Sequence, residues 1–249
     1  MRYIVANWKM NLGVGGSLKL LDEVSQQVAD PSPVEVVLCP SMLALMPVVA
    51  KNKGKFDIGA QNCFWEDTGA YTGEVSAAQL AGLVKYCLVG HSERRQALHE
   101  TDTEVNKKVR ACLRQGIRPI ICIGETLNQR QNGETEITLR NQLDGALMGV
   151  SASEISQVLV AYEPTWAIGS GETPTNEDLT QAVHTIKTQI EFMYGRQDVP
   201  VLYGGSVNEA NAEDIVSLPQ IDGLLVGNIG LNAEKFGIIV EIMKRGSRL

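Results

Sequence analysis

Four groups of residues combine types and spacings that can do chemistry. Glu163 stands between a short apolar run and Pro164. A carboxylate held between two neighbouring carbons can take a proton from one and return it to the other, and does so better when water is kept out. Taken alone, the same glutamate could simply cap the turn before Pro164. His91 precedes Ser92-Glu93-Arg94-Arg95, a stretch able to open a short helix. A helix N-terminus disfavours imidazolium, so the ring is expected to be neutral and to donate an N–H. His99 and His184 read as helix-surface residues. Asn7 and Lys9 follow the first apolar run at alternate positions, so both can face one way. A cation there would attract an anionic ester and stabilise charge developing on its oxygens. Gly204-Gly205-Ser206 and Gly227-Asn228 offer amides and a hydroxyl of the kind that hold phosphate.

Such groups need a scaffold that brings distant chain segments to one face. Short, nearly continuous apolar runs at residues 3–6, 34–39, 56–60, 86–89, 119–123, 158–162, 201–203 and 223–226 read as parallel strands covered on both sides. Amphipathic segments lie between them. Leu179, Ala182, Val183, Ile186, Ile190 and Met193 share one helix face, as do Phe236, Ile239, Val240 and Met243. Eight strand–helix units in 249 residues predict an α/β fold, a (β/α)8 barrel forming a single domain over residues 1–249. A doubly wound sheet has less support, because no G-x-G-x-x-G follows the first strand. In a barrel, residues just past each strand face the active site. That rule selects Asn7, Lys9, Gln61, Asn62, His91, Ser92, Glu93, Glu125, Glu163, Ser206, Gly227 and Asn228.

Composition narrows the partners. Lys and Arg number 22 against 29 Asp and Glu, a net charge of −7, which argues against nucleic acid or an anionic membrane as the main partner. No run approaches the roughly 18 apolar residues that span a bilayer; the best, residues 42–50, is interrupted by Pro47. Five cysteines without a C-x-x-C pair suggest neither a disulfide framework nor a zinc site. Scattered histidines and unclustered carboxylates suggest no other metal. A cytoplasmic, reduced location is expected.

The segments Ala6-Asn7-Trp8-Lys9-Met10-Asn11, Val89-Gly90-His91-Ser92-Glu93-Arg94-Arg95, Cys122-Ile123-Gly124-Glu125, Ala161-Tyr162-Glu163-Pro164-Thr165-Trp166-Ala167-Ile168-Gly169-Ser170-Gly171 and Tyr203-Gly204-Gly205-Ser206-Val207-Asn208 resemble the triosephosphate isomerase family. They keep that family's order from the first strand to the last, so the resemblance covers essentially the whole chain. It implies isomerisation of dihydroxyacetone phosphate and D-glyceraldehyde 3-phosphate without a cofactor. Glu163 would be the base and His91 the electrophile, and Lys9 and Asn7 would contact substrate. Ser92, Glu93 and Cys122 would support them. Gly169, Ser206, Gly227 and Asn228 would hold the phosphate, Gly169 joining when the loop after strand 6 closes as a lid.

Two positions depart from the family pattern. Asn228 stands where a second glycine is usual after Gly227. Pro174 stands at the far hinge of the lid, where it removes an N–H that in relatives bonds the tyrosine matching Tyr203 in the closed state. The loop at residues 61–74 is long and carries Phe64, Trp65 and Tyr71, and long loops in compact domains are usually functional. The resemblance implies that this loop, with Phe64, Trp65 and Thr72, docks into a second subunit, giving a homodimer in which Thr72 reaches the neighbour's Asn7. Two rivals remain at this point. One is a barrel isomerase for a larger sugar phosphate, and the other a catalytically weakened homologue kept for binding or scaffolding. Gly204-Gly205-Ser206-Val207-Asn208 also approaches the G-x-S-x-G nucleophile elbow, but it lacks the final glycine.

Overall fold

A computed structural model describes residues 2–168 and 173–246. Eight strands close into a barrel in chain order: β1 (Arg2–Asn7), β2 (Val34–Cys39), β3 (Asp57–Ala60), β4 (Tyr86–Val89), β5 (Arg118–Ile123), β6 (Leu159–Tyr162), β7 (Val201–Tyr203) and β8 (Gly223–Val226). All eight pairings are parallel, and β1 closes the barrel against β8 with Val5 opposite Leu225. The fold class is therefore the (β/α)8 barrel expected from the pattern.

The continuous apolar runs serve two cores at once. Alternation along each strand sends Tyr3, Val5, Tyr86, Leu88, Ile120, Cys122, Leu159 and Ala161 into the barrel, where they form one buried cluster. Their neighbours, such as Ile4, Ala6, Cys87, Val89, Ile121 and Val160, face the helices and join a larger outer cluster. A strand buried on both faces has no polar side to show, which is why these runs lack alternation.

Helices α1 (Val14–Gln27), α2 (Met42–Asn52), α3 (Ala77–Leu80), α4 (Ser92–Ala97), α5 (Asp102–Arg114), α6 (Leu127–Gln131), α7 (Thr135–Leu147), α8 (Asn176–Tyr194), α9 (Ala212–Ser217) and α10 (Ala233–Gly246) complete the units. Local signals start several of them. Thr101 with Glu104 and Thr175 with Asp178 close reciprocal capping boxes on α5 and α8. Leu179, Ala182, Val183, Ile186 and Ile190 are buried on α8, and Phe236, Ile239, Val240 and Met243 on α10.

Five boundaries in four strands differ from the sequence reading, one of them the end of β1, which runs on to Asn7 because Asn7 still pairs with Cys39 of β2. β1 and β5 begin one residue earlier, at Arg2 and Arg118, because pairing with β2 and β4 extends to them. β3 begins at Asp57 because the Phe56 N–H is taken by the Asn52 side chain (3.1 Å). β6 begins at Leu159 because the Val158 N–H closes the preceding turn on Ile155 (3.1 Å). The rim at the strand N-termini is tied by charge: Lys85 Nζ bonds Glu35 (2.6 Å) and Asp57 (3.0 Å), and Arg118 donates to the Tyr86 hydroxyl (2.7 Å). The opposite rim carries the polar residues singled out above.

Candidate active site

The first strand ends at Asn7, buried, and the chain then makes a tight turn. Lys9 adopts φ +50°, a left-handed conformation that costs a non-glycine residue about 1–3 kcal/mol. Three hydrogen bonds hold it there. The Lys9 N–H donates to Asn7 Oδ1 (3.0 Å), and Gln61 Nε2 donates to the carbonyls of Lys9 (2.9 Å) and Cys39 (2.9 Å). The strand pleat alone therefore does not aim Lys9; a clamped turn does. Its Nζ meets Glu93 Oε1 at 2.5 Å.

His91 is the N-cap of α4, reached through Gly90 at φ +72°. The Glu93 N–H donates to His91 Nδ1 (3.3 Å), which leaves Nε2 to carry the proton. Glu163 follows β6 directly, with its own N–H bonded to the Ile123 carbonyl (2.7 Å). Its carboxylate is buried and doubly held: Oε2 accepts from the Ser92 N–H (2.9 Å) and Oε1 lies 3.0 Å from His91 Nε2. Burial alone would raise the Glu163 pKa, but the His91 ring and the Ser92 N–H outweigh it and hold the carboxyl below its ordinary range. Burial likewise disfavours the charged ring, yet the facing Glu163 charge raises His91 above its ordinary value. The helix N-terminus is thus one of two opposing influences on His91, and in this arrangement the carboxylate is the stronger.

These groups open on one cavity of about 220 Å³ lined by Asn7, Lys9, His91 and Glu163 at one end and by Ser206, Gly227 and Asn228 at the other. Seven of the eight residues expected at the substrate thereby line it; the eighth, Gly169, lies outside the described residues. Gly204 is needed between the two ends, because a Cβ there would fall 2.8 Å from Glu163 Cγ. Ser206 Oγ donates to the Ala167 carbonyl (2.7 Å), tying this end of the cavity to the segment that follows Pro164. Cys122 lies inside the barrel, with its thiol pushed well up by burial and by the Glu163 charge; it acts as a small apolar filler beneath the base.

One residue noted only for its strand-end position has a larger part than the sequence indicated. Glu125 is fully buried and accepts from the Trp166 indole (2.8 Å) and the Tyr162 hydroxyl (3.1 Å), while its carbonyl accepts from Thr165 N (3.1 Å). Arg130 covers the Trp166 ring at 4.3 Å and pairs with Asp178 at 2.9 Å. These contacts anchor the segment that follows β6. The only signal available in sequence was a charged residue directly after an apolar strand.

Of the expected interface residues, Phe64 and Trp65 stack at 4.1 Å and Lys107 sits 5.0 Å above the Trp65 ring. Thr72 is exposed at the loop tip. All five cysteines are free and buried, and three of them, Cys63, Cys87 and Cys112, lie together, a grouping that their sequence spacing does not signal.

A parallel eight-stranded barrel that carries a buried carboxylate, an imidazole and a lysine around a glycine-rich cavity at its strand C-termini defines a (β/α)8-barrel enzyme of the acid–base class. The chain belongs to the triosephosphate isomerase family, whose family model matches residues 2–243. Proteins named triosephosphate isomerase resemble it over nearly their whole length. One from Chloroherpeton thalassium is 41% identical over 249 residues, covering 98% of each chain. One from Acetivibrio thermocellus is 43% identical over 243 residues, covering 96% of each. One from Thermoanaerobacter pseudethanolicus is 43% identical over 243 residues, covering 96% of this chain and 98% of the relative.

Proposed function

We propose that the chain interconverts dihydroxyacetone phosphate and D-glyceraldehyde 3-phosphate. The observation that carries this reading is the single small cavity on which Glu163, His91, Lys9 and the glycine-rich loops converge. At about 220 Å³ it lies below the roughly 300 Å³ at which pockets for drug-sized ligands begin. It suits a three-carbon phosphate better than a larger sugar phosphate. The presence of every acid–base group argues against a binding-only homologue.

The chemistry follows from the groups in hand. Glu163 removes a proton from the carbon beside the carbonyl and returns it to the neighbouring carbon. The charge that develops on the two oxygens is met by the Lys9 ammonium, the Asn7 amide and the Nε2–H of His91. In the arrangement described, Glu163 Oε1 occupies that Nε2–H, so the base is parked and must leave His91 when substrate enters. Departure of its charge removes the influence that raises the His91 pKa. Burial and the helix N-terminus then favour the neutral ring, which can donate without giving up a full proton. The phosphate is held by Ser206, Gly227 and Asn228, with Gly169 added on lid closure.

The working unit is a homodimer. Thr72, Phe64 and Trp65 dock into a partner's groove beside Asn7, a groove with a volume of about 660 Å³ that includes Met10, Met42, Val75 and Leu98. Met10 is 95% exposed in the single chain, a large apolar side chain that an interface would cover. Five free buried thiols fit a reducing, cytoplasmic setting, and among the described residues no helix is long and apolar enough to cross a membrane.

A coupled assay starting from glyceraldehyde 3-phosphate tests the activity. Turnover that depends on Glu163 supports it, and no turnover overturns it. Sedimentation at micromolar concentration tests the dimer. Wild type should run as a dimer and Trp65→Glu as a monomer, because charge is depleted from interface cores.

A further inference from the structure

Cys63 follows β3, Cys87 lies in β4 on the side facing the helices, and Cys112 lies in α5. The three sulfurs lie within 4.8 Å of one another, Cys63 and Cys112 at 3.5 Å, and all three residues are buried. We propose that Cys63, Cys87 and Cys112 form a three-sulfur site for a soft monovalent cation, Cu(I), between the barrel wall and α5.

The dimensions fit. A metal–thiolate bond of about 2.3 Å places three sulfurs around an in-plane ion in a triangle with edges of about 4.0 Å. The cluster reaches that size by small outward shifts, with the ion replacing the thiol hydrogens rather than filling a void. Thiolate is the ligand that selects soft ions. A structural Zn(II) site asks for four ligands, and among the described residues no fourth histidine, cysteine or carboxylate joins this group. Cys39 and Cys122 lie apart from it in the barrel interior.

A buried cation, Lys108, lies beside the group. It is bonded to Asn62 Oδ1 (2.9 Å) and paired with Glu100 (3.1 Å). Binding is written as Cu⁺ plus three thiols giving a tris-thiolate complex of charge −2 and three released protons. The neighbouring ammonium partly offsets that charge. Because the protons must leave, affinity rises with pH.

The test uses the full chain, reduced with a phosphine under anaerobic conditions, and Cu(I) presented against a chromophoric chelator. Wild type should withdraw one equivalent, more tightly at higher pH, and X-ray absorption should give three sulfurs at about 2.3 Å. Cys87→Ala and Cys112→Ala should each weaken binding at least about tenfold, one full decade of affinity, while Cys39→Ala should keep it. A thermal melt of each variant checks folding, and if the alanine variants do not fold, the wild-type stoichiometry and sulfur count decide. No uptake by wild type overturns the proposal. So does a shell of fewer than three sulfurs, or an equal loss with Cys39→Ala.

Discussion

The two ends of the cavity are built differently. At the proton-transfer end, side chains hold one another: Glu163 bonds His91 and the Ser92 amide, His91 caps α4, and Lys9 meets Glu93. At the end proposed to hold phosphate, the described lining is Gly204, Gly205, Gly227 and Asn228 with Ser206, whose hydroxyl is committed to the Ala167 carbonyl. The first end is fully assembled but self-satisfied, so it works by exchanging partners. The second, in the proposed reading, is complete only once Gly169 joins it, so it works by gaining them. A buried acid–base group left unpaired would cost more than a backbone amide facing a solvated cavity, which accounts for the asymmetry.

The sharpest way to break this comparison is at the base. Glu163→Gln keeps the shape and can still accept from Ser92, but it cannot take a proton. We expect kcat to fall by about 10²–10⁴, the usual weight of a general base, with the chain still folded. Activity within tenfold of wild type would remove Glu163 from the mechanism. Gly204→Ala comes next, because it presses the phosphate end against the base. Its Cβ would lie 2.8 Å from Glu163 Cγ, and displacing a reacting group by about 1 Å costs about 10² in rate. We expect that loss in kcat with a smaller change in KM; a pure KM effect would place Gly204 with the phosphate donors alone.

The same contrast governs what was legible in the sequence. Glu163, His91, Asn7 and Ser206 are found by position, because each follows an apolar strand and barrel geometry turns strand ends toward one face. Lys9 is found by the same rule for an incomplete reason. Its direction depends on the left-handed turn clamped by Gln61, and nothing local in Asn7-Trp8-Lys9 announces a positive φ. Glu125 is visible as a strand-end charge, but its bonds to Trp166 and Tyr162 join segments about 40 positions apart. The cysteine group is invisible for the same reason, since pairing of β3 with β4 and packing of α5 on the barrel bring its members together. Periodicity reports which face a residue takes and leaves open which distant residue shares it.

The Glu163–His91 pair also has a pH signature. Glu163 is held below its ordinary value of 4.5 and His91 above its ordinary 6.5. The stability due to Glu163 is therefore present above about pH 4.5 and lost as pH falls through its lowered pKa. That due to His91 is full below about pH 6.5 and lost as pH rises through its raised pKa. His91→Asn should destabilise most between these limits, by about 1.5–3 kcal/mol for a hydrogen bond to a charged group. The difference in melting temperature between the two proteins should narrow on both sides of that window. A difference independent of pH would mean that the pair contributes by packing alone.

The smallest effects are expected at Asn228 and Pro174, the two positions where the sequence resemblance to the family is read as broken. Asn228 lines the phosphate end and opens a short 3-10 turn over Asn228–Leu231. Asn228→Gly removes a side chain from that wall and should act on KM, within about tenfold. Pro174 is buried, and the Tyr203 hydroxyl is buried without a hydrogen-bond partner among the described residues. The lost proline N–H removes one bond available on closure, a net of about 0.5–1.5 kcal/mol. The stiff ring lowers the entropy lost on closing by about 0.4–1 kcal/mol where its φ suits the closed form. The two nearly cancel, so Pro174→Ala should change kcat by less than about tenfold, or 1.4 kcal/mol. A hundredfold gain would mean that the hinge holds the lid open and that the incomplete end of the cavity, rather than the self-satisfied one, limits the enzyme.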